Sequence, residues 1–188
     1  ARCARALGGR TFVLTTTLRA LQTIGGALRD DFAVGGDELA VLVQGTASKR
    51  ALMQQFLADP RAVLVGSQSF WEGVDVPGDA LQCVLIDKLP FPPPNDPLVE
   101  ARARRLEAEG RSAFNDYFVA EAAVSLKQGA GRLIRTESDR GLLVVCDPRM
   151  AAMGYGRRLR AALPPMPALD DEDAALAWLH ELARARAS

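Results

Sequence analysis

Lysine, histidine and cysteine are scarce in this 188-residue sequence, and each shortage removes a class of chemistry. Of 23 basic residues, only Lys49, Lys88 and Lys127 are lysines, and none follows a glycine. The Gly-Lys-Ser/Thr ending of a phosphate-binding P-loop is therefore absent, and the chain by itself cannot hold ATP in the P-loop manner. No strand ends in an Asp-Glu pair suited to magnesium; Asp37-Glu38 precedes a strand and reads as a turn. The single histidine, His180, lies in the last amphipathic stretch and gives no basis for a Ser-His-Asp triad or a histidine metal site. Cys3, Cys83 and Cys146 are odd in number, far apart and without a C-x-x-C pair. They support neither a disulfide framework nor a zinc or iron–sulfur site. Cys83 and Cys146 sit in apolar runs and are expected in the core. Reduced cysteines fit a cytoplasmic setting. No apolar run approaches the ~20 residues of a membrane span, and no signal-peptide pattern is present. With 23 acidic residues against 23 basic ones the net charge is zero, so any nucleic-acid contact must be local. The chain opens on Ala1-Arg2-Cys3 without an initiator Met and is expected to be a piece of a longer protein.

What is present is an alternation of short β-branched runs with longer amphipathic ones. Strands are expected at Thr11–Thr16, Leu39–Val43, Ala62–Val65, Cys83–Ile86 and Leu142–Cys146. Helices are expected at Thr17–Asp30, Ser48–Ala58, Pro97–Glu109, Ala113–Ile134 and Asp171–Ala185, the last capped by Asp170 or Asp171. The strands lack apolar/polar alternation, so both faces are covered. The fold class is α/β: an open parallel sheet with helices on both faces and no P-loop of its own. In such sheets ligands gather at the carboxyl ends of strands. Residues 1–163 form the main domain. Residues 164–188 form a linker, Pro164–Pro167, and a C-terminal amphipathic helix that packs on the sheet or on a neighbouring chain. Pro90–Pro94 reads as a rigid loop.

Three stretches could do chemistry. Gln128, Arg132 and Arg135 are spaced i, i+4, i+7 and would share one helix face. Paired guanidinium groups suit a phosphoryl group in flight, and surface ion pairs with Glu137 or Asp139 are the plainer use. Ser67, Gln68 and Ser69 follow a buried strand and offer donors to phosphate oxygens, or serve only to cap a turn. Trp71 could stack on a base or be buried. Gly73 and Asp75 permit a tight turn with a carboxylate. Thr15-Thr16-Thr17 ends the first strand, where the hydroxyls cap the next helix or receive a backbone phosphate.

Taken in order, these stretches resemble the second motor domain of superfamily 2 helicases, most of all the DinG branch of the XPD-like family. Gln128-x-x-Gly131-Arg132-x-x-Arg135 resembles motif VI, Phe70-Trp71-Glu72-Gly73-Val74-Asp75 motif V and Phe12–Leu21 motif IV. In motif IV, Thr15-Thr16-Thr17 departs from the branch's usual Thr-Ser start. Asp87-Lys88-Leu89-Pro90-Phe91-Pro92, then Asp96-Pro97, resembles a stretch typical of DinG proteins. The resemblance implies a RecA-like domain that completes an ATP–magnesium site held by a first motor domain of the same polypeptide. Arg132 and Arg135 would reach the γ-phosphate, and Gln128 would couple that site to closure. Glu72, Gly73 and Asp75 would line the nucleotide cleft. Thr15, Thr16, Ser67 and Gln68 would track single-stranded DNA, with Trp71 beside them. Family members move 5′ to 3′, and many hold an iron–sulfur cluster in the first motor domain, with no ligand in this chain. The alternative is an α/β domain that binds a nucleotide or small molecule without motor activity. Such a domain would want a Gly-rich turn where Thr15-Thr16-Thr17 stands.

Overall fold

The computed structural model of the chain describes residues 1–67, 70, 76, 78–134, 136 and 139–187. Five runs rich in β-branched and aliphatic residues form strands: β1 (Thr11–Thr15), β2 (Ala40–Val43), β3 (Ala62–Ser67), β4 (Cys83–Ile86) and β5 (Leu142–Val145). They make one sheet in the order β2-β3-β1-β4-β5, with every neighbouring pair parallel. Parallel neighbours need crossovers, and the helices supply them. The sequence-expected bounds hold to within two residues for all five strands.

The helices are α1 (Arg2–Leu7), α2 (Leu18–Gly35), α3 (Lys49–Ala58), α4 (Pro97–Ala108), α5 (Val119–Ala130), α6 (Arg149–Ala152), α7 (Gly156–Ala162) and α8 (Glu172–Ala187). Their starts are set by capping side chains. Thr17 Oγ1 accepts from Ala20 N, Ser48 Oγ from Ala51 N and Asp96 Oδ1 from Leu98 N. Such caps are each worth ~1 kcal/mol.

Side-chain alternation along the strands divides the core into two layers. Phe12, Leu14, Leu64, Val84 and Ile86 meet Leu52 and Phe56 of α3, Leu126 of α5 and Leu159 of α7 on one face. Val13, Val63 and Val65 meet Leu21, Leu28 and Phe32 of α2 on the other. On that second face, Cys83 packs with Leu7 of α1 and with Leu179 and Leu182 of α8. The C-terminal helix therefore docks on this chain's own core, and Arg186 Nη1 donates to Gln82 Oε1 at 2.8 Å. Asp171, one of the two expected caps, accepts from Ala174 N at 2.8 Å.

Several expectations are corrected. Helix α2 runs beyond Asp30 to Gly35 because Phe32 gives it another core-facing turn, and Gly36 ends it in a left-handed cap (φ 67°). The helix expected over Ala113–Ile134 is continuous from Ala113 but opens with a π-helical turn, Phe114–Phe118, that runs into α5, and it ends at Ala130. After Ala130 the bonding tightens: Arg132 N donates to Gly129 O and Leu133 N to Ala130 O. This lets Leu133 turn into the core, where it is 2% exposed. Gln128 and Arg132 consequently do not lie on one unbroken helix. Cys146 is exposed just beyond the end of β5, whereas Cys83 is buried as expected.

Candidate functional site

The carboxyl ends of β1, β3 and β4 adjoin one another in the sheet and collect the polar residues singled out by their types. Thr15 and Ser67 are register partners in the β1–β3 ladder. Thr15 is buried, and its hydroxyl is shared between Gly66 O at 3.4 Å and Thr17 O at 3.3 Å. Its proton is thus committed inside the fold, which departs from the phosphate contact expected of it. Thr16 is half-buried and Thr17 exposed, so these two are the surface threonines of the loop. The Thr16 N–H donates to Asp87 Oδ1 at 3.0 Å, tying the end of β1 to the residue after β4.

Ser67 has a partner the sequence reading missed. Gln44, one residue past β2, accepts from Ser67 N at 2.7 Å and from Ser67 Oγ at 2.9 Å. The side-chain amide of one strand end thus holds the first polar residue of the next. The signal available in the sequence was position alone: both residues stand at the carboxyl end of a buried run. Gly66, just before Ser67, lies close under Phe70: an added Cβ would stand 3.2–3.3 Å from three carbons of that side chain, a tight contact. Lys49 Nζ sits 5.4 Å from the centroid of the same ring.

Asp147 follows β5 at the same edge and was also missed. It is 6% exposed and accepts from Leu89 N at 2.9 Å, Arg149 N at 3.0 Å and Arg149 Nη2 at 2.6 Å. The Arg149 guanidinium holds its carboxyl down at about 2, with the Leu89 and Arg149 amides helping and burial opposing. Arg149 in turn lies over the Phe91 ring, which packs against Phe114 and Tyr155. The proline-rich stretch is thus anchored to the sheet by one carboxylate and one aromatic cluster.

Arg132 lies elsewhere. It precedes Leu133, whose side chain occupies the space a Cβ on Gly141 would need, and Gly141 leads directly into β5. Leu142 N donates to Gln82 O at the start of β4, and Asp139 abuts Gly78. The Arg132 turn therefore sits at the amino ends of β4 and β5, opposite the threonine and serine edge. The two places are about one strand apart, ~13 Å at ~3.3 Å per residue. Arg132 is half-buried and Gln128 is exposed on the last turn of α5. Arg135, Gln68, Trp71, Glu72, Gly73 and Asp75 lie outside the described residues. Among the described residues no group of three His, Cys, Asp or Glu side chains converges to hold a metal, and no helix is long and apolar enough to cross a membrane.

Comparison with known proteins gives the family. The helicase C-terminal domain model matches residues 1–166. The chain is 44% identical over 156 residues to the ATP-dependent DNA helicase YoaA of Haemophilus influenzae, covering 83% of this chain and 24% of that protein. It is 43% identical over 182 residues to the ATP-dependent helicase DinG of Mycobacterium tuberculosis, covering 97% of this chain and 27% of that one. The chain thus spans about a quarter of the length of these relatives. Among solved structures, an XPD helicase superposes with a TM-score of 0.62 at 18% identity, covering 88% of this chain and 30% of the other. That likeness extends to the RecA-like sheet and its helices. A match over nearly all of the sheet-forming chain, on a fold shared with a helicase, establishes that the protein belongs to the helicase C-terminal domain family.

Proposed function

We propose that this chain is the second motor domain of an ATP-dependent 5′–3′ DNA helicase of the DinG/XPD type, acting with a first motor domain of the same polypeptide in the cytoplasm. The observation behind this reading is the separation of two polar patches on one sheet. Thr16, Thr17 and the Gln44–Ser67 pair stand at the carboxyl edge, and Gln128 with Arg132 stands near the amino edge. Residues 67–78 join the two in sequence. A domain that grips a strand at one edge and senses a nucleotide near the other has what a translocating half-motor requires.

The surface threonines Thr16 and Thr17, with Ser67, would bind the phosphodiester backbone of single-stranded DNA, with Gln68 and Trp71 beside them. Such contacts position a strand without reading its sequence. Arg132 and Arg135 would supply positive charge to the γ-phosphate of ATP, where negative charge grows in the transition state. Gln128, Glu72, Gly73 and Asp75 would line the same cleft. The donor set fits this division of labour. Guanidinium and amide groups stabilise phosphoryl oxygens, while magnesium, which would supply further charge neutralisation, would take its carboxylate ligands from the first motor domain. An iron–sulfur cluster, where the full-length protein has one, would likewise lie there. Closure of the two domains on ATP would bring the arginines in, and reopening after hydrolysis would shift the grip on DNA.

The test compares DNA-stimulated ATPase rates of the full-length parent with Arg132→Ala and Arg135→Ala, after checking folding and nucleotide binding. The expected loss is roughly 10³–10⁵-fold with ATP binding retained. Rates within a few-fold of wild type, or robust ATP turnover by this chain alone, would overturn the assignment.

A further inference from the structure

Donors at the carboxyl edge are held by acceptors of the chain itself, and those acceptors differ in charge. The Thr15 hydroxyl goes to the Gly66 and Thr17 carbonyls, and the Ser67 amide and hydroxyl go to the Gln44 side-chain carbonyl. All of these acceptors are neutral. The Thr16 amide goes instead to the Asp87 carboxylate, 3.0 Å away. Asp87 follows β4 directly, and its own amide donates to Leu14 O at 3.0 Å, which continues the β1–β4 pairing and fixes its backbone. The Thr16 amide stands just before the amino terminus of α2, where the helix field favours negative charge. The chain has thus seated an anion of its own on the strand end that the proposed function gives to a DNA phosphate. Arg19, in the first turn of α2, and Lys88 are both exposed and line one cavity with Asp87 and Thr17. They offer the carboxylate another partner when it leaves the amide.

We propose that Asp87 is a built-in competitor of the DNA backbone: its carboxylate holds the Thr16 amide and opposes an incoming phosphate, so that the domain grips single-stranded DNA weakly enough to let go. This rests on the reading of the carboxyl edge as the DNA track. A phosphate reaching that amide must displace a charge-assisted hydrogen bond and approach a like charge. Both costs lower affinity, and a motor that moves along a strand must release each phosphate it holds.

The test measures binding of a fluorescein-labelled oligothymidylate to the full-length parent by fluorescence anisotropy. The variants are Asp87→Asn, Asp87→Ala, Thr17→Ala and Ser67→Ala, with Asp170→Asn, exposed before α8, as the control for net charge. Asparagine keeps an acceptor for the Thr16 amide and removes the charge; alanine frees the amide as well. Asp87→Asn should bind about fivefold more tightly than wild type, the worth of one unit charge at ~4 Å in water. Asp87→Ala should gain more, and Asp170→Asn nothing, with melting curves confirming that each variant is folded. Loss of the opposing charge should also steepen the log–log dependence of affinity on salt, by up to ~0.7. In the DNA-stimulated ATPase, the DNA concentration for half-maximal rate should fall by the same factor as the dissociation constant. An aspartate that only ties β1 to β4 would move none of these in that direction. Thr17→Ala and Ser67→Ala report on the edge itself and should bind more weakly. If they do, while both Asp87 variants bind no more tightly than wild type, the competitor proposal alone is overturned. If they bind as wild type does, whatever the Asp87 variants do, the carboxyl edge is not the DNA track and both readings fall together.

Discussion

Replacing Asp147 by asparagine tests the anchor of the proline-rich stretch. The carboxyl is held at about 2 against an ordinary 3.8. At ~1.4 kcal/mol per pKa unit, that depression is worth about 2 kcal/mol to the folded state. The substituted amide would keep an acceptor for Leu89 N but would set its own N–H groups against the Arg149 guanidinium. The expected cost at pH 7 is about 2–3 kcal/mol, or roughly 5–10 °C in melting temperature for a chain of this size. The pH dependence follows from the direction of the shift. Between the two pKa values the unfolded chain binds more protons than the folded one. The carboxylate's contribution is therefore fully present above ~4 and is lost as pH falls through about 2. Urea unfolding at pH 7 and pH 3 should show wild type losing about 1 kcal/mol more than Asp147→Asn over that interval. A variant within about 0.5 kcal/mol of wild type at pH 7, or equal losses in the two proteins, would refute the assignment of this carboxylate as a structural clamp.

The remaining predictions concern packing and the carboxyl edge. Gly25 lies on Val43, and an added Cβ would come within 2.8 Å of a Val43 methyl. Gly25→Ala should cost about 1–3 kcal/mol, and adding Val43→Ala should cost less than the sum of the two single changes, as read by a double-mutant cycle in denaturant. Gln44→Ala releases the Ser67 N–H and hydroxyl, so single-stranded DNA affinity measured by fluorescence anisotropy should fall several-fold while the melting temperature drops by only a few degrees. An unchanged affinity would remove Gln44 from the DNA-facing edge. Gly156→Ala should be far worse than Gly25→Ala, since its Cβ would meet the Met150 carbonyl at 2.1 Å and backbone cannot rotate away; soluble yield and circular dichroism report it.

The sheet was legible because its signal is local. Uninterrupted runs such as Phe12-Val13-Leu14 and Val63-Leu64-Val65 can satisfy both buried faces only in a parallel arrangement. The caps at Thr17 and Asp171 were equally readable from residue type. Short helices were not: α1, α6 and α7 have too few turns for periodicity to register, and packing alone holds them. The end of α5 was misread because Arg132 and Leu133 continue a helical pattern in sequence, while in space Leu133 is drawn to Gly141. At the candidate site, the threonine loop and Ser67 were visible as polar residues after buried runs. Gln44 and Asp147 were not, because each matters through a partner more than twenty positions away.

The strand order has a consequence for how the chain acquires its shape. β1 lies at the centre of the sheet, paired with β3 on one side and β4 on the other. It is also the first of the five strands to leave the ribosome. Its partners arrive some fifty and seventy residues later, so its backbone groups wait through several seconds of synthesis at ~5–20 residues per second before either ladder can form. During that interval Phe12, Val13 and Leu14 are an unpaired β-prone segment, the kind that recruits other chains. Thr11 and Thr15 at its two ends, and the arginines on either side at Arg10 and Arg19, are the polar residues that flank it while it waits.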